Sequence, residues 1–243
     1  MKVERKIEQK ISRFIKKQTE GAEGVVVGLS GGIDSSVVAS LCVRALGKDH
    51  VVGLCMPEKG VTLRRDVEDA RQLAGQLGIQ FHICPITPIV NALPLVYTNF
   101  QEHKVSLANA KARARMMILY GFANFNDFRV VGTGNKSELS IGYFTKYGDG
   151  GVDFLPIGDL YKYQVVELAK YLGIPETIVG KAPTAGLWRG QTDEGELGMS
   201  YDELDRILEG KVKGSAPDKV ARVRELVENA EHKRMMPSVC VVE

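Results

Sequence analysis

A chain of 243 residues is long enough for one large α/β domain or two small ones. With 44% hydrophobic and 26% charged residues it is not disordered, collagen-like or a disulfide scaffold, and 32 Lys+Arg against 30 Asp+Glu exclude nucleic-acid binding driven by overall charge. Cys42, Cys55, Cys84 and Cys240 form no C-x-x-C pair, which leaves structural zinc and redox dithiol chemistry without support. Residues 1–20 carry seven Lys/Arg and no long apolar run, so neither a secretory signal nor a membrane span is expected; the protein is expected to be cytoplasmic, with reduced thiols.

Val3, Ile7, Ile11, Phe14 and Ile15 recur at helical spacing and predict an amphipathic helix. Val25 to Leu29 is short, β-branched and apolar on both sides, as in a strand buried in a parallel sheet. The pattern then alternates: helix from about Asp34 to Leu46, strand Val51 to Met56, helix Thr62 to Leu77, strand Ile79 to Cys84. Gly47 and Gly78 are expected as left-handed helix ends. A long helix from about Tyr97 to Phe125 leads to a strand near Phe128 to Val131, and further helices are expected over 162–172, 201–209 and 218–231. Such alternation predicts βαβ units and a doubly wound parallel sheet flanked by helices, with at least four strands. Seven acids against one base in residues 190–209 read as a solvated loop and helix start; a second metal site there is the sharper alternative and is not adopted.

The chemistry concentrates in Leu29-Ser30-Gly31-Gly32-Ile33-Asp34-Ser35-Ser36, between a strand and a helix. Backbone amides converge there on the positive end of the helix, Gly31 and Gly32 permit close approach, and the serine hydroxyls add donors, which makes an anion cradle suited to a polyphosphate. Neither G-x-x-x-x-G-K-[ST] nor G-x-G-x-x-G fits, which removes the main support for a kinase or a dinucleotide oxidoreductase. Locally, a Gly-Gly turn with Asp34 and Ser35 capping a helix would explain the same residues. A phosphate site opposed by a carboxylate makes sense with Mg²⁺ between them, with Asp34 the first ligand. Glu138, in Gly132-Thr133-Gly134-Asn135-Lys136-Ser137-Glu138, is the second candidate, and from local sequence it could equally be a surface acid.

Ser30-Gly31-Gly32-Ile33-Asp34-Ser35 resembles the pyrophosphate loop of the N-type ATP pyrophosphatases. The segments Asn109 to Met116, Gly132 to Glu138, Tyr143 to Gly151, Lys181 to Ala185 and Glu231 to Arg234 narrow the resemblance to the ammonia-dependent NAD⁺ synthetases, over essentially the whole chain. The resemblance implies a Rossmann-like fold of the adenine nucleotide alpha hydrolase type in one domain over 1–243: helix 1–20, ATP pyrophosphatase core 21–180, mobile loop and C-terminal helices 181–243. It implies that deamido-NAD⁺, ATP and ammonia become NAD⁺, AMP and pyrophosphate through an acyl-adenylate. Residues 28 to 35 (Gly28, Leu29, Ser30, Gly31, Gly32, Ile33, Asp34, Ser35) are then expected on ATP, with Thr133, Lys162 and Thr184. Asp34 and Glu138 are expected on Mg²⁺, and Arg113, Lys146, Asp153, His232 and Lys233 on deamido-NAD⁺. Asp34 and Lys162 are expected to serve adenylylation and Asp149 to receive ammonia.

Gly134 and Asn135 stand where many bacterial members have aspartate and histidine, so adenine-side contacts are expected to differ. No separate glutaminase domain is expected, so ammonia should come free or from another protein. The resemblance also implies a homodimer, packed through helices 3–15 and 97–125, without nucleic-acid or membrane partners. A tRNA-modifying enzyme with the same ATP loop and a non-catalytic ATP sensor are the rival readings; neither accounts for all the motifs.

Overall fold

The β-branched runs pair into a parallel sheet, β1 (Gly24–Gly28), β2 (Val51–Cys55), β3 (Gln80–Ile83) and β4 (Phe128–Val131), in the order β3-β2-β1-β4. The computed structural model describes residues 2–242, apart from the side chains of Lys2 and Gln101, so Met1 and Glu243 lie outside the described residues. α1 (Lys2–Gln18) precedes β1, and between the strands run α2 (Ile33–Leu46), α3 (Arg64–Leu77), α4 (Thr87–Val96) and α5 (Lys104–Asn126). Beyond β4 follow α6 (Lys136–Ile141), α7 (Lys162–Leu172), α8 (Glu176–Val179), α9 (Asp193–Leu197), α10 (Tyr201–Leu208), α11 (Pro217–Asn229) and α12 (Glu231–Arg234).

Alternation along each strand decides which layer it feeds. Val25 and Val27 pack with Val37, Leu41, Leu73 and Leu168 of α2, α3 and α7, whereas Val26 packs with Val52, Val130 and with Met116 and Leu119 of α5. Helices therefore cover both faces, which is why the strands read as continuous apolar runs. A third cluster joins Ile141 of α6 to Tyr201 and Leu204 of α10 and Val223 of α11.

Several expectations need correction. The α1 stripe faces its own subunit: Ile11 and Ile15 are buried in the core shared with α2 and α7, while Val3 is 65% exposed and Phe14 meets Phe154 edge-on. The long helix expected from Tyr97 starts only at Lys104, because Tyr97 (φ −146°) and His103 (φ −123°) are extended and a 3-10 turn lies between them. His103 caps α5 by accepting from Ser106 N at 3.2 Å, a role for which histidine gives little sequence signal. The Pro-started α4 before it was not anticipated, nor was α6. Gly78 takes the left-handed cap, but Gly47 (φ 87°, ψ 156°) does not, because its chain turns into a 3-10 segment.

Candidate active site

The chain enters α2 from β1 and α6 from β4, and β4 lies on the opposite side of β1 from β2. At such a switch point the loops after the two strands diverge and leave a crevice at the carboxyl edge of the sheet. One wall is Leu29 to Gly32 and the other Gly132 to Asn135. Gly31 has φ +77°, and a Cβ there would stand 2.2 Å from the Asp66 carbonyl oxygen, so only glycine fits the turn against α3. Ser30 and Ser35 hydroxyls lie 3.1 Å apart, Gly32 N donates to Ser30 Oγ (3.2 Å), and Ser35 Oγ donates to Gly32 O (3.0 Å). No side chain caps the N-terminus of α2, so its first amides face the crevice uncompensated, as an anion site needs. Gly28, Leu29 and Ile33 brace this loop, the latter two buried.

Asp34, in the first turn of α2, meets Glu138 of α6 through Lys162, the first residue of α7. Lys162 Nζ lies 2.6 Å from Asp34 Oδ2 and 3.5 Å from Glu138 Oε1, and all three side chains are largely buried. A cation at a helix N-terminus opposes the helix dipole, and the two carboxylates offset that cost. Burial alone would lower Lys162, but the two anions outweigh it and hold its ammonium above the usual lysine range. Burial and the Asp34 charge push the Glu138 carboxyl up. Asn135 organises the pair: its Nδ2 donates to Asp34 Oδ1 (2.9 Å), its Oδ1 accepts from Glu138 N (3.1 Å), and its own N donates to Glu138 Oε2 (3.2 Å). This is a capping box, and the pattern Asn135-x-x-Glu138 carries that signal in the sequence.

Two hard carboxylates drawn together beside the uncapped amides of α2 fit Mg²⁺ in their donor chemistry. No group of three or more potential ligands gathers among the described residues.

A sequence profile of the NAD synthase family matches residues 5–237. The chain belongs to the NAD synthase family. It is 52% identical to the NH(3)-dependent NAD(+) synthetase of Archaeoglobus fulgidus, over 98% of this chain and 97% of that one, and 49% identical to that of Methanocaldococcus jannaschii, over 95% of each. Among solved structures it resembles NMN synthetase from Francisella tularensis (TM-score 0.91, 39% identity, 98% of each chain). It also resembles the NH3-dependent NAD synthetase of Campylobacter jejuni (TM-score 0.84, 34% identity, 98% of this chain and 99% of that one).

In this NAD synthase fold the expected dinucleotide residues gather at a second place. Arg113 Nε and Nη2 donate to Lys146 O (3.2 Å each), Lys146 Nζ donates to His232 O (2.5 Å), and Lys233 Nζ donates to the carbonyls of Gly142 (2.7 Å) and Phe144 (2.9 Å). Asp149 accepts from Thr145 N at 2.9 Å. It keeps a solvent-accessible face while protein crowds it from behind; that desolvation raises its carboxyl, opposed by Thr145 N, Lys233 and Arg115. Asp153 stands apart, with Oδ2 accepting from Val130 N (2.7 Å) and Oδ1 from Tyr120 (3.1 Å), so its near donors belong to the sheet and α5. Thr133 is half-buried in the loop after β4, and exposed Thr184 accepts from Gly186 N at 3.1 Å.

The acidic stretch is only in part a solvated face: Glu194, Glu196 and Asp202 are exposed, but two of its acids are buried. Asp193 and Asp205 are 4% and 1% exposed. Asp205 accepts from Ser137 Oγ and from Tyr163 N, tying α10 to the starts of α6 and α7. Asp193 accepts from Ala185 N, Tyr143 and Tyr201, which draws the 182–199 segment inward. At the start of that segment Lys181 Nζ reaches Gly31 O (2.9 Å), Asp66 (2.7 Å) and Asp69 (2.5 Å). Lys111 Nζ reaches Leu187 O and Glu58, both at 2.9 Å, and Lys104 sits 3.8 Å over the Trp188 ring. Sequence reasoning missed these partners, which lie far apart along the chain.

Proposed function

We propose that this chain makes NAD⁺ by ATP-dependent amidation of deamido-NAD⁺ with ammonia. The observation that carries the reading is the meeting of Asp34, Glu138 and Lys162 beside the uncapped serine-glycine turn, in a chain matching the NAD synthase family almost end to end. A carboxylate is a poor acyl donor, so the nicotinate oxygen first attacks the α-phosphorus of ATP, the α–β phosphoanhydride bond breaks and pyrophosphate leaves. Gly28 to Ser35 with the α2 amides hold the phosphates, Thr133 and Thr184 contact ATP, and Lys162 stabilises charge on the departing group. Asp34 and Glu138 would hold Mg²⁺, which supplies further neutralisation of pyrophosphate. Arg113, Lys146, His232, Lys233 and Asp153 receive deamido-NAD⁺. Ammonia nitrogen then adds to the acyl carbon, the carbon–oxygen bond to AMP breaks, and Asp149 accepts the proton released from nitrogen.

Omitting ATP, Mg²⁺, deamido-NAD⁺ or ammonium one at a time from the purified protein should abolish NAD⁺ formation in each case. Because one structural neighbour is an NMN synthetase, the mononucleotide half of deamido-NAD⁺ is assayed in parallel; faster turnover of it would move the assignment to the mononucleotide. Labelled pyrophosphate should enter ATP without ammonia only when deamido-NAD⁺ is present. Asp149→Asn should keep that exchange and slow NAD⁺ formation about 10²-fold or more, the ordinary contribution of a positioned base. Equal loss of both would remove the ammonia role.

The same reading takes residues 1–243 as one catalytic domain working in the cytoplasm. No described helix is long and apolar enough to cross a membrane. It further takes the chain as a homodimer. With the α1 stripe covered from within, support comes from Leu95, Val96 and Tyr97 at the end of α4 and from Val105, Met117 and Phe125 of α5, all more than half exposed. Sedimentation equilibrium at micromolar concentration should give twice the chain mass, and Phe125→Glu combined with Met117→Glu should halve it. A fully active wild-type species at the monomer mass would refute the dimer.

A further inference from the structure

The amino end of α7 is capped by two other helices. A helix leaves its first amides without intrahelical acceptors, and Tyr161, the residue before α7, is not of the Ser, Thr, Asp or Asn kind that supplies them. Instead, Lys162 N donates to Ser137 Oγ of α6 (2.9 Å), Tyr163 N donates to Asp205 Oδ2 of α10 (3.2 Å), and the Ser137 hydroxyl donates to Asp205 Oδ1. Ser137 is 0% and Asp205 1% exposed, so bulk water does not compete for these bonds. Burial pushes the Asp205 carboxyl up, and the Ser137 hydroxyl and Tyr163 amide draw it back toward its ionised form.

The bridge joins the backbones that carry Glu138 and Lys162. Ser137 precedes Glu138 and Lys162 opens α7, so one hydroxyl sets the spacing from which both side chains approach Asp34. A second link, Lys136 N to Leu160 O (2.8 Å), lies before α7 begins and does not set the direction in which Lys162 leaves the helix. Asp205 is itself firmly mounted, because its neighbour Leu204 is fully buried in the cluster with Ile141 and Val223.

We propose that Ser137 and Asp205 act as one positioning unit, which clamps the first two amides of α7 and so aims Lys162 Nζ at the departing pyrophosphate without touching substrate. The inference rests on the reading of Lys162 as the cation that stabilises the departing group. Nζ stands at the far end of a long side chain, so a small tilt at the start of α7 is magnified there, and a misplacement of ~1 Å costs up to ~10²-fold in rate. A carboxylate suits the task better than a neutral acceptor. It takes the Ser137 and Tyr163 donors at once, and its charge favours the positive end of α7. An asparagine keeps one acceptor and turns its NH₂ group on the other donor, leaving the buried Ser137 proton without a partner and loosening the link to Lys162 N.

Exchange of labelled pyrophosphate into ATP, without ammonia and at saturating ATP, Mg²⁺ and deamido-NAD⁺, reads the chemical step. Titration with a fluorescent ATP analogue reads binding, and thermal melting reads folding. Asp205→Asn and Ser137→Ala should each slow exchange about 10- to 10²-fold per folded molecule, with analogue affinity within about threefold of wild type. The double variant should be no slower than the slower single, because both residues act through one link. Should melting show that Asp205→Asn does not fold, Ser137→Ala carries the same expectation. A cap that only stabilises the fold would lower the melting temperature and leave the exchange rate per folded molecule unchanged, which overturns the clamp. So does a loss of affinity equal to the loss of rate, or single losses that multiply in the double variant. A wild type without deamido-NAD⁺-dependent exchange overturns the proposed function and the inference together, whereas failure of the clamp alone shows only in the variants.

Discussion

Asp34→Asn should abolish pyrophosphate exchange into ATP while leaving the fold intact. The carboxylate accepts from Lys162 Nζ through Oδ2 and from Asn135 Nδ2 through Oδ1, both inside the crevice. An asparagine of the same volume offers one acceptor and one NH₂ group, so it satisfies one of these donors and turns its own donor on the other. It also carries no charge to hold a metal ion against pyrophosphate. Losing several kcal/mol of transition-state stabilisation exceeds one factor of ten in rate, since each ~1.4 kcal/mol is tenfold. The core under α2 is untouched, so the melting temperature should move by no more than a few degrees. Retention of more than about a tenth of the exchange rate would rule out the metal role. Glu138→Gln should lose activity in the same direction.

The largest stability effect is expected away from that cluster, at Lys111→Met. Lys111 and Glu58 form an ion pair at 2.9 Å with side chains only 6% and 9% exposed, and Glu58 Oε2 has no hydrogen-bond partner. Removing the lysine takes away the direct partner of a buried carboxylate and leaves it only the charge of Arg115, a loss of up to about 3–5 kcal/mol, whereas replacing both members with apolar residues costs far less. At ~2–4 °C per kcal/mol for a chain of this size, the single variant should melt on the order of 10 °C lower, and Lys111→Met with Glu58→Leu should recover most of the difference. A single variant that melts within 2 °C or so of wild type would show the pair to be solvated in solution. The Leu187 carbonyl loses its donor as well, so trypsin should cut the single variant faster after Arg189.

What was legible in the sequence was local. The β1 to α2 unit could be read because Val25 to Val27 are β-branched and the break at Gly31-Gly32 is abrupt; that Asp34 and Glu138 each follow a strand end, where they open α2 and α6, could be read from the strand pattern. The split between α4 and α5 was hidden because the Thr98–Gln101 turn contains no Gly or Pro to mark a break, so the sequence does not register the extended backbone at Tyr97 and His103. Burial of Asp205 depends on Ser137, 68 residues away, and the environment of Lys162 on Asp34, 128 residues away. Composition marks such acids as surface residues because nothing nearby in the chain announces their partners. Asn135 is different: its capping box was visible as Asn-x-x-Glu, and reading Asn135 only as a departure from bacterial relatives obscured its part in aligning Asp34 with Glu138.

Asp153 has a consequence for how molecules of this protein meet one another in concentrated solution. Its carboxylate and amide, with Phe154 O, take up Val130 N, Val130 O and Gly132 N along the outer side of β4, and Val131 bridges to Phe154 in parallel. That rim of the sheet therefore offers few free backbone groups to a foreign strand. Recruitment of a second chain by strand addition is left to β3 at the other rim, four residues long with its polar side chains exposed and Pro85 two residues beyond. A rim so short and polar is a poor seed for fibrils, so the sheet is guarded on one border by the Asp153 turn and on the other by brevity.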